Sequence, residues 1–357
     1  MISTGRPLDQ DRVGEFLGRV AADSAAAFAG LCTSMGVRLG LYEAMAGAGP
    51  LTSEELAERT GLVERYVREW LAAQVAGAYV LHDAATGTYH LPAEHAAVLA
   101  DRTAPTCMAG AFTMLGPLYE TESALSEAYR TGAGVGWQAH GPDLYEGVAA
   151  FFRPGYDSML VREWLPALDG VLDKLERGAS VADVGCGFGH STLLMAQAFP
   201  NSRFSGFDFH TPSVYAARRA AQEQGLSDRV TFDLAAADDF PQGPYDLITF
   251  FDCLHDLGDP VAALRRAEHA LAEDGSCMVV EPNTSADPAG LVNPIGRSFA
   301  SVSAALCLPG ALAQNGPHAL GNHAGEEAMR RIAEEAGLTG WKLAAETLTN
   351  RIYDVRR

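Results

Sequence analysis

The second half of the sequence alternates short apolar segments with segments of helical periodicity, and this order constrains the fold more than any other feature. Five apolar segments are predicted strands: SVADVG, RFSGFD, RVTFDL, YDLITFF and SCMVVEP. Helices are predicted between most of them: STLLMAQAF, SVYAARRAAQEQG and PVAALRRAEHALAEDG. Strands that alternate with helices form a parallel sheet covered on both faces. Residues 179–357 are therefore predicted to form a Rossmann-like α/β domain.

The first predicted strand ends in a turn with glycines at alternate positions, Gly185, Gly187 and Gly189. Glycine lets the backbone touch a ligand and lets a helix pack closely on a strand. Ligands of open parallel sheets bind at such turns. The spacing is GxGxG, and His190 stands where the dinucleotide fingerprint GxGxxG has its third glycine. This difference disfavours a nicotinamide oxidoreductase, for which no hydride partner can be named either.

Two acidic residues strengthen the prediction of a ligand at this turn. Asp208 ends the next predicted strand, about 20 residues on, where it is positioned to bind ribose hydroxyls. Asp183 directly precedes the glycines, and its charge suits a cationic ligand.

The composition excludes several classes of partner. Lys and Arg number 26 against 45 Asp and Glu, and the resulting net charge of -19 repels nucleic acids and acidic membranes. We expect no membrane span, because no uninterrupted apolar run approaches about 20 residues, and the first residues are too acidic for a signal peptide. A cytoplasmic location is the expectation.

The six cysteines form no CxxC pair, which predicts reduced thiols and no metal.

Residues 1–103 are predicted to form a winged-helix domain. Thr52 and Glu55 form a capping box at the start of one helix, a second helix follows Gly61, and two short strands flank Gly87. The second helix has a balanced charge and no lysine occurs before Lys174, so dimerisation is favoured over DNA binding. The apolar helix around residues 24–45 is predicted to be buried, with a partner chain able to supply the cover.

Residues 104–178 are predicted to form a helical connecting segment rich in aromatic side chains. Within it, Trp137, His140 and Tyr145 are interspersed with glycines. Two interpretations stay open for this stretch: the wall of a substrate pocket, or ordinary core packing.

Four motifs in order, VADVGCGFGHST, FSGFDFH, YDLITFFDCLHDLGDP and GSCMVVEPN, resemble those of class I S-adenosylmethionine-dependent methyltransferases. The whole chain resembles a group of actinobacterial small-molecule methyltransferases and, more distantly, the dimeric O-methyltransferases of plants and antibiotic pathways. The resemblance implies a seven-stranded sheet with a reversed final strand, S-adenosylmethionine as cofactor and S-adenosylhomocysteine as product.

The same resemblance implies roles for individual cofactor-binding residues. Asp183 and the three glycines would hold the methionine part of the cofactor, Asp208 its ribose and Phe209 its adenine, while Asp252 would line the same cleft. The family's acidic residue after the third strand aligns with Ala236, and Asp238 follows two residues later. Asp238 therefore has two interpretations, an adenine contact or a helix cap.

His255 is the candidate general base, because it follows the fourth strand of the domain at the catalytic edge of the sheet. In the O-methyltransferases that the chain resembles, the histidine of an LHDW motif deprotonates the substrate, and a carboxylate matched here by Glu281 pairs with it. Leu257 replaces the tryptophan, and His323 aligns with a second family carboxylate. The other interpretation is that His255 only packs its loop and water removes the proton.

The insertion at residues 285–325 is implied by the resemblance to close over the acceptor with residues 137–156. Phe152, Asn315 and His323 are candidate substrate contacts there, although Asn315 and His323 are equally interpreted as loop residues without a role. The sequence thus predicts a homodimeric methyltransferase for a small molecule of specialised metabolism, with transfer to oxygen favoured and nitrogen, carbon or sulfur open. A winged-helix transcription regulator that senses the cofactor is the alternative.

Overall fold

The computed structural model describes residues 8–357. They divide into two compact units. One contains the described residues up to Gly116 together with Glu146–Phe151, and the other contains Pro117–Tyr145 and Phe152–Arg357.

The first unit is helical with one β hairpin. Its elements are α1 (Gln10–Arg38), α2 (Leu41–Met45), α3 (Ser53–Thr60), α4 (Glu64–Ala76), β1 (Leu81–Asp83), β2 (Thr88–His90), α5 (Ala93–Leu99) and α6 (Ala109–Thr113), and α7 (Leu115–Glu120) begins at its end.

The winged helix predicted from the sequence is confirmed in this unit. Thr52 Oγ1 accepts the backbone N–H of Glu55 at 3.2 Å, and Glu55 Oε2 accepts that of Thr52 at 2.7 Å, which completes the capping box of α3. Strands β1 and β2 pair antiparallel as the wing. The Trp70 ring packs edge-on against Tyr42 and donates to Cys32 O at 2.8 Å, which joins α4 to α1 and α2 in one core.

Helices also form the segment that precedes the large sheet. They are α8 (Glu122–Thr131), α9 (Pro142–Gly155) and α10 (Val171–Arg177), with 3-10 turns at Trp137–Ala139 and Leu165–Ala167 and a π-helical segment at Tyr156–Trp164. Residues 146–151 of α9 belong to the first unit.

The second unit contains a seven-stranded sheet in the order β5-β4-β3-β6-β7-β9-β8. Its strands are β3 (Ser180–Val184), β4 (Arg203–Asp208), β5 (Val230–Leu234), β6 (Tyr245–Phe251), β7 (Leu271–Pro282), β8 (Gly340–Glu346) and β9 (Asn350–Arg356). Its helices are α11 (His190–Ala198), α12 (Thr211–Glu223), α13 (Pro260–Ala270), α14 (Pro294–Val302), α15 (Leu308–Ala313) and α16 (Gly325–Glu335). Strands β3 to β7 are parallel and β9 is antiparallel to both its neighbours, so the predicted reversed final strand is confirmed.

The sheet is covered on both faces, which explains why its central strands are apolar at almost every position. In β6, Leu247 belongs to one hydrophobic cluster and Ile248 to the other, as the period-two geometry of a strand requires. Because parallel strands end together, the segments after β3, β4, β6 and β7 meet at one edge of the sheet.

The insertion at residues 285–325 is largely helical, although its mixed composition gave no helical prediction. It contains a 3-10 turn at Pro288–Leu291, α14, a π-helical segment at Ser303–Cys307 and α15. Two helical stretches, Gln10–Arg38 and Pro294–Ala313, are long and apolar enough to cross a membrane by length and composition. That is weak evidence, because core helices and signal sequences pass the same test.

Candidate functional site

The turn after β3 presents bare backbone because its glycines adopt left-handed conformations. The φ angle is +75° at Gly185, +52° at Gly187 and +75° at Gly189. A Cβ at Gly189 would lie 2.5 Å from Phe232 Cζ, so α11 can pack closely on the sheet only with glycine there. A Cβ at Gly187 would meet no atom of the described chain within 4 Å. Gly187 is therefore where the backbone faces open space.

Asp183 supports this turn from within the sheet. Its side chain is buried, and its oxygens accept hydrogen bonds from Ser191 at 2.8 Å, Thr192 at 2.5 Å and Thr249 at 2.9 Å. Burial raises the pKa of Asp183, and the three hydroxyls act against that shift. The carboxylate thus joins β3 to β6 and to the start of α11. Its contact with the methionine part of a cofactor stays a prediction.

Asp208 holds the same turn from the end of β4. One oxygen accepts the backbone N–H of Gly187 at 2.9 Å and the other that of His210 at 2.8 Å. Burial raises the pKa of Asp208, whereas these backbone donors lower it. The next residue, Phe209, leaves 46% of its surface exposed. The glycine turn therefore has a carboxylate and an uncovered aromatic ring side by side.

Asp252, directly after β6, has a strained backbone. Its φ of +49° lies in the left-handed region, which costs a non-glycine residue about 1–2 kcal/mol and occurs preferentially at functional sites. Its carboxylate accepts from Asn350 Nδ2 at 2.7 Å and from the Tyr156 hydroxyl at 3.5 Å. Burial first, and then the charge of Glu281, hold the pKa of Asp252 well above its usual range.

The helix-cap interpretation of Asp238 is wrong. Asp238 is exposed in a turn at residues 237–239, and in the described chain no helix begins there. Ala236, the position that aligns with the family's acidic residue, is also exposed in the same loop. An adenine contact through Asp238 stays a prediction.

His255 and Glu281 form a buried pair at the ends of β6 and β7. His255 Nδ1 lies 2.6 Å from Glu281 Oε2, and Glu281 Oε1 accepts the backbone N–H of His255 at 3.3 Å. A carboxylate at Nδ1 fixes the tautomer of the ring and leaves Nε2 as the reactive nitrogen. Burial lowers the pKa of His255, but the charges of Asp256 and Glu281 outweigh it and raise the pKa well above its usual value.

The Nε2 side of His255 meets two further groups, neither of them predicted from the sequence. Asp256 Oδ1 lies 3.2 Å from Nε2, and Cys307 of the insertion makes side-chain contacts with both residues. Burial raises the pKa of the Cys307 thiol to about 12.

Trp137, His140 and Tyr145 come together, as the sequence grouped them. The Tyr145 hydroxyl donates to the backbone oxygens of Trp137 at 2.9 Å and His140 at 2.8 Å. The Tyr145 ring centroid lies 4.3 Å from that of His210, two residues after Asp208. Burial lowers the pKa of His140, and among the described residues neither of its ring nitrogens has a hydrogen-bond partner. The cluster therefore lies beside the segment that follows β4.

Phe152 contacts the site at the sheet edge through Tyr156. Its ring stacks on Tyr156 with centroids 6.2 Å apart, and Tyr156 packs edge-on against Phe251 and bonds Asp252. Tyr156 was missed from sequence because it lies outside the motifs.

Family comparisons match two parts of the chain. Residues 27–101 match the Rv2258c-like winged HTH domain, and residues 175–337 match a methyltransferase domain. The glycine turn, Asp208, His255 and Glu281 all lie within the second match. The matches show a winged HTH domain followed by a methyltransferase domain.

Among curated relatives, the chain is 27% identical to the ajmaline N-methyltransferase of Rauvolfia serpentina over 173 residues, which span 45% of this chain and 58% of that one. The chain thus spans little more than half of that relative's length. The mitomycin 7-O-methyltransferase MmcR has a TM-score of 0.72 at 22% identity, with 98% of this chain and all of that chain covered. Human N-acetylserotonin methyltransferase in complex with SAM has a TM-score of 0.69 at 17% identity, with 100% and 99% covered. These structures share the fold of the whole chain.

Asn315 and His323, the two candidate substrate contacts in the insertion, lie in loop segments of the second unit. Asn315 is exposed after α15, and its side chain donates to Ala313 O at 3.4 Å within its own turn. His323 is half-buried. The neighbouring Gln314 was missed from sequence, yet it accepts from Gly258 N at 3.0 Å and donates to Asp256 O at 2.7 Å. Gln314 thus joins the insertion to the loop of His255. The substrate roles of Asn315 and His323 stay predictions.

A cavity of about 290 Å³ lies apart from these residues. It is lined by residues after β7 and by the insertion, with Arg351 and Leu348 from the terminal hairpin. The predicted site residues do not line it.

Proposed function

We propose that this protein transfers a methyl group from S-adenosylmethionine to a small-molecule acceptor, with a hydroxyl oxygen as the favoured acceptor atom. The observation that carries the proposal is the buried His255–Glu281 pair at the sheet edge that also holds the glycine turn. An imidazole fixed by a carboxylate is the arrangement that removes a proton from a hydroxyl.

The residues at the turn fit this cofactor. Gly187 faces open space where its backbone can approach a ligand. The Asp208 carboxylate already accepts two backbone donors and retains acceptor capacity for hydroxyls. The Phe209 ring offers an exposed apolar face suited to a nucleobase. His140 has two buried nitrogens without a hydrogen-bond partner among the described residues, so a polar ligand group could satisfy them.

In this proposal Asp208 binds the ribose, the backbone at Gly187 lies along the methionine part, and Phe209 lies against the adenine. Asp183 and Asp252 keep the turn and the loop after β6 in place. The sulfonium of the cofactor supplies an already activated methyl group. Positioning of an acceptor against it contributes about 7–11 kcal/mol, and proton removal adds about 10²- to 10⁴-fold.

Proton removal is assigned to Nε2 of His255. In the neutral form of the ring Glu281 holds the Nδ1–H, so that the lone pair of Nε2 is available to the acceptor hydroxyl. The imidazolium that forms is stabilised by the buried carboxylate, in keeping with the raised pKa of His255. A neutral amine or a thioether is nucleophilic enough to accept the methyl group without prior loss of a proton, whereas a hydroxyl is a weak nucleophile until it is deprotonated. The presence of the pair is therefore the reason to favour oxygen, and the small molecules of specialised metabolism are the proposed acceptors.

The test uses labelled S-adenosylmethionine with a panel of phenols, amines and thioethers. Labelled product with a phenol, lowered about 10²-fold or more in His255→Ala, supports the proposal. His269→Ala is the matched control, because His269 lies on α13 with an exposed side chain. Full phenol turnover in His255→Ala would remove the base role from this histidine.

We also propose that the protein is a homodimer joined through α1. Phe16, Leu17, Phe28 and Leu31 are each more than 60% exposed on this helix, an arrangement that a second copy would cover. A cytoplasmic location is proposed because all six cysteines are free thiols.

The winged-helix match favours one rival, a transcription regulator. The charges of α4 argue against it, since Arg65 pairs with Glu69 at 2.5 Å and Arg68 with Glu64 at 3.2 Å. A helix whose arginines are already paired offers little positive charge to phosphates. Salt-dependent binding to duplex DNA would favour the regulator, whereas labelled product from the panel would favour the enzyme.

A further inference from the structure

The Nε2 side of His255 brings together three different metal-ligating groups. One ligand atom each from His255, Asp256 and Cys307 lies within 4.8 Å of the others. They come from two distant parts of the chain, the loop after β6 and the π-helical segment of the insertion. The cysteines predicted no metal because the sequence shows no CxxC pair, and this cluster uses a single cysteine.

Asp256 supplies a buried carboxylate oxygen, Oδ1, although a third of its side chain is exposed. Its Oδ1 has no hydrogen-bond partner among the described residues, although it lies 3.2 Å from His255 Nε2. A protonated His255 is one cation that stabilises this oxygen, and a metal ion that replaces the proton on Nε2 is another.

His255 is oriented as metal-binding histidines are. Such histidines donate the second ring N–H to a carboxylate, which directs the remaining lone pair at the metal. Glu281 stands in that position, 2.6 Å from Nδ1.

We propose that His255 Nε2, an Asp256 carboxylate oxygen and Cys307 Sγ form a zinc-binding site. Nitrogen, oxygen and thiolate are the ligands of Zn²⁺, and three protein ligands leave a fourth position open. Tetrahedral Zn²⁺ places such ligand atoms about 3.3–3.6 Å apart. His255 Nε2 and Asp256 Oδ1 are already 3.2 Å apart. Cys307 Sγ lies within 4.8 Å of both atoms, so the sulfur has to move at most about 1.2 Å toward them to reach the separation that Zn²⁺ requires.

Occupancy has a direct consequence for the chemistry, which rests on the proposed function. Zn²⁺ takes the lone pair of Nε2 and displaces the thiol proton of Cys307 to solvent, since thiolate is the ligand form. The bound ion therefore occupies the nitrogen that would remove the acceptor proton. The site inhibits methyl transfer to hydroxyls while Zn²⁺ is bound.

The test is calorimetric titration of the full chain with ZnCl₂ in buffer free of chelators. Wild type is expected to bind one Zn²⁺ per chain, and affinity is expected to fall more than about 100-fold in Cys307→Ala, because a direct ligand is removed. Asp256→Asn, which keeps the size of the side chain, is expected to weaken binding as well. Cys32→Ser is the matched control, because Cys32 is a free thiol on α1 in the other unit.

Absorption spectra with Co²⁺ provide a second test, because a folding defect alone does not produce the spectral change expected from a sulfur ligand. Co²⁺ added to wild type is expected to give a sulfur-to-cobalt charge-transfer band, which is absent in Cys307→Ala and retained in Cys32→Ser. Thermal melts of the variants report whether they fold. No Zn²⁺ binding by wild type, or equal binding by wild type and folded Cys307→Ala, overturns the site.

The two proposals fail separately. Zinc binding by a protein that performs no methyl transfer even after Zn²⁺ is removed contradicts only the proposed function. Methyl transfer that wild type and Cys307→Ala perform with equal sensitivity to Zn²⁺ contradicts only the zinc site.

Discussion

The Nδ1 atom of His255 and the Oε2 atom of Glu281 lie 2.6 Å apart, with at most 5% of either side chain exposed. The residues are 26 positions apart in sequence, but Glu281 lies near the end of β7 and His255 lies in the turn that follows the neighbouring parallel strand β6. Parallel pairing thus brings a base and a carboxylate to the edge that holds the glycine turn. The proposed chemistry depends on this pair.

Replacement of Glu281 tests the pair. Glu281→Gln keeps the shape but removes the charge that stabilises the imidazolium, so we expect kcat for a hydroxyl acceptor to fall about 10²-fold or more. Cofactor affinity, measured by calorimetry with S-adenosylhomocysteine, should stay within about twofold. Glu346→Gln, at the partly exposed end of β8, is the control. A fall in cofactor affinity as large as the loss of kcat would show that Glu281 only supports the fold of the site and has no role in proton removal.

Asp208→Ala should weaken S-adenosylhomocysteine binding at least about tenfold. Each charge-assisted hydrogen bond lost is worth about 1.5–3 kcal/mol, and the support of Gly187 is lost with it. Asp239→Ala, in the exposed turn after β5, should bind as wild type does. Unchanged affinity in the Asp208 variant would refute its role at the ribose.

Alanine substitutions at two glycines of the turn should have different effects. Gly189→Ala should lower the free energy of unfolding by about 2–5 kcal/mol, because its Cβ meets Phe232 in a left-handed conformation. Gly187→Ala carries only the conformational cost of about 1–2 kcal/mol, but its methyl group enters the space meant for the ligand. Thermal melts and calorimetry should therefore show Gly187→Ala as nearly stable yet weakened in cofactor affinity. Normal affinity in that variant would place the ligand elsewhere.

The exposed face of α1 should hold the dimer together. Phe28→Glu with Leu31→Glu puts charge on that face and is expected to give a monomer by size-exclusion with light scattering, whereas wild type gives a dimer. Val292→Glu with Leu348→Glu is the control, since both residues are highly exposed in the other unit. A monomeric wild type at micromolar concentration would contradict the interface.

The parts that sequence predicted well are those encoded locally. The capping box of α3, the strand and helix alternation, and the glycine turn each depend on residues close in the chain, and the structure has all three. The Asp238 cap failed because a capping residue type does not ensure that a helix follows. No sequence pattern marked Cys307 and Gln314 as site residues, because they contact the His255 loop only when the distant insertion has folded.

The most direct test of the account is calorimetric titration of the wild-type chain with S-adenosylhomocysteine and, separately, with NAD. The account predicts saturable binding of one S-adenosylhomocysteine per chain, lost together with Asp208, and no heat of binding with NAD. Absence of S-adenosylhomocysteine binding to the folded protein, or a preference for NAD, would contradict the central claim that the turn at Gly187 and Asp208 binds a sulfonium nucleoside.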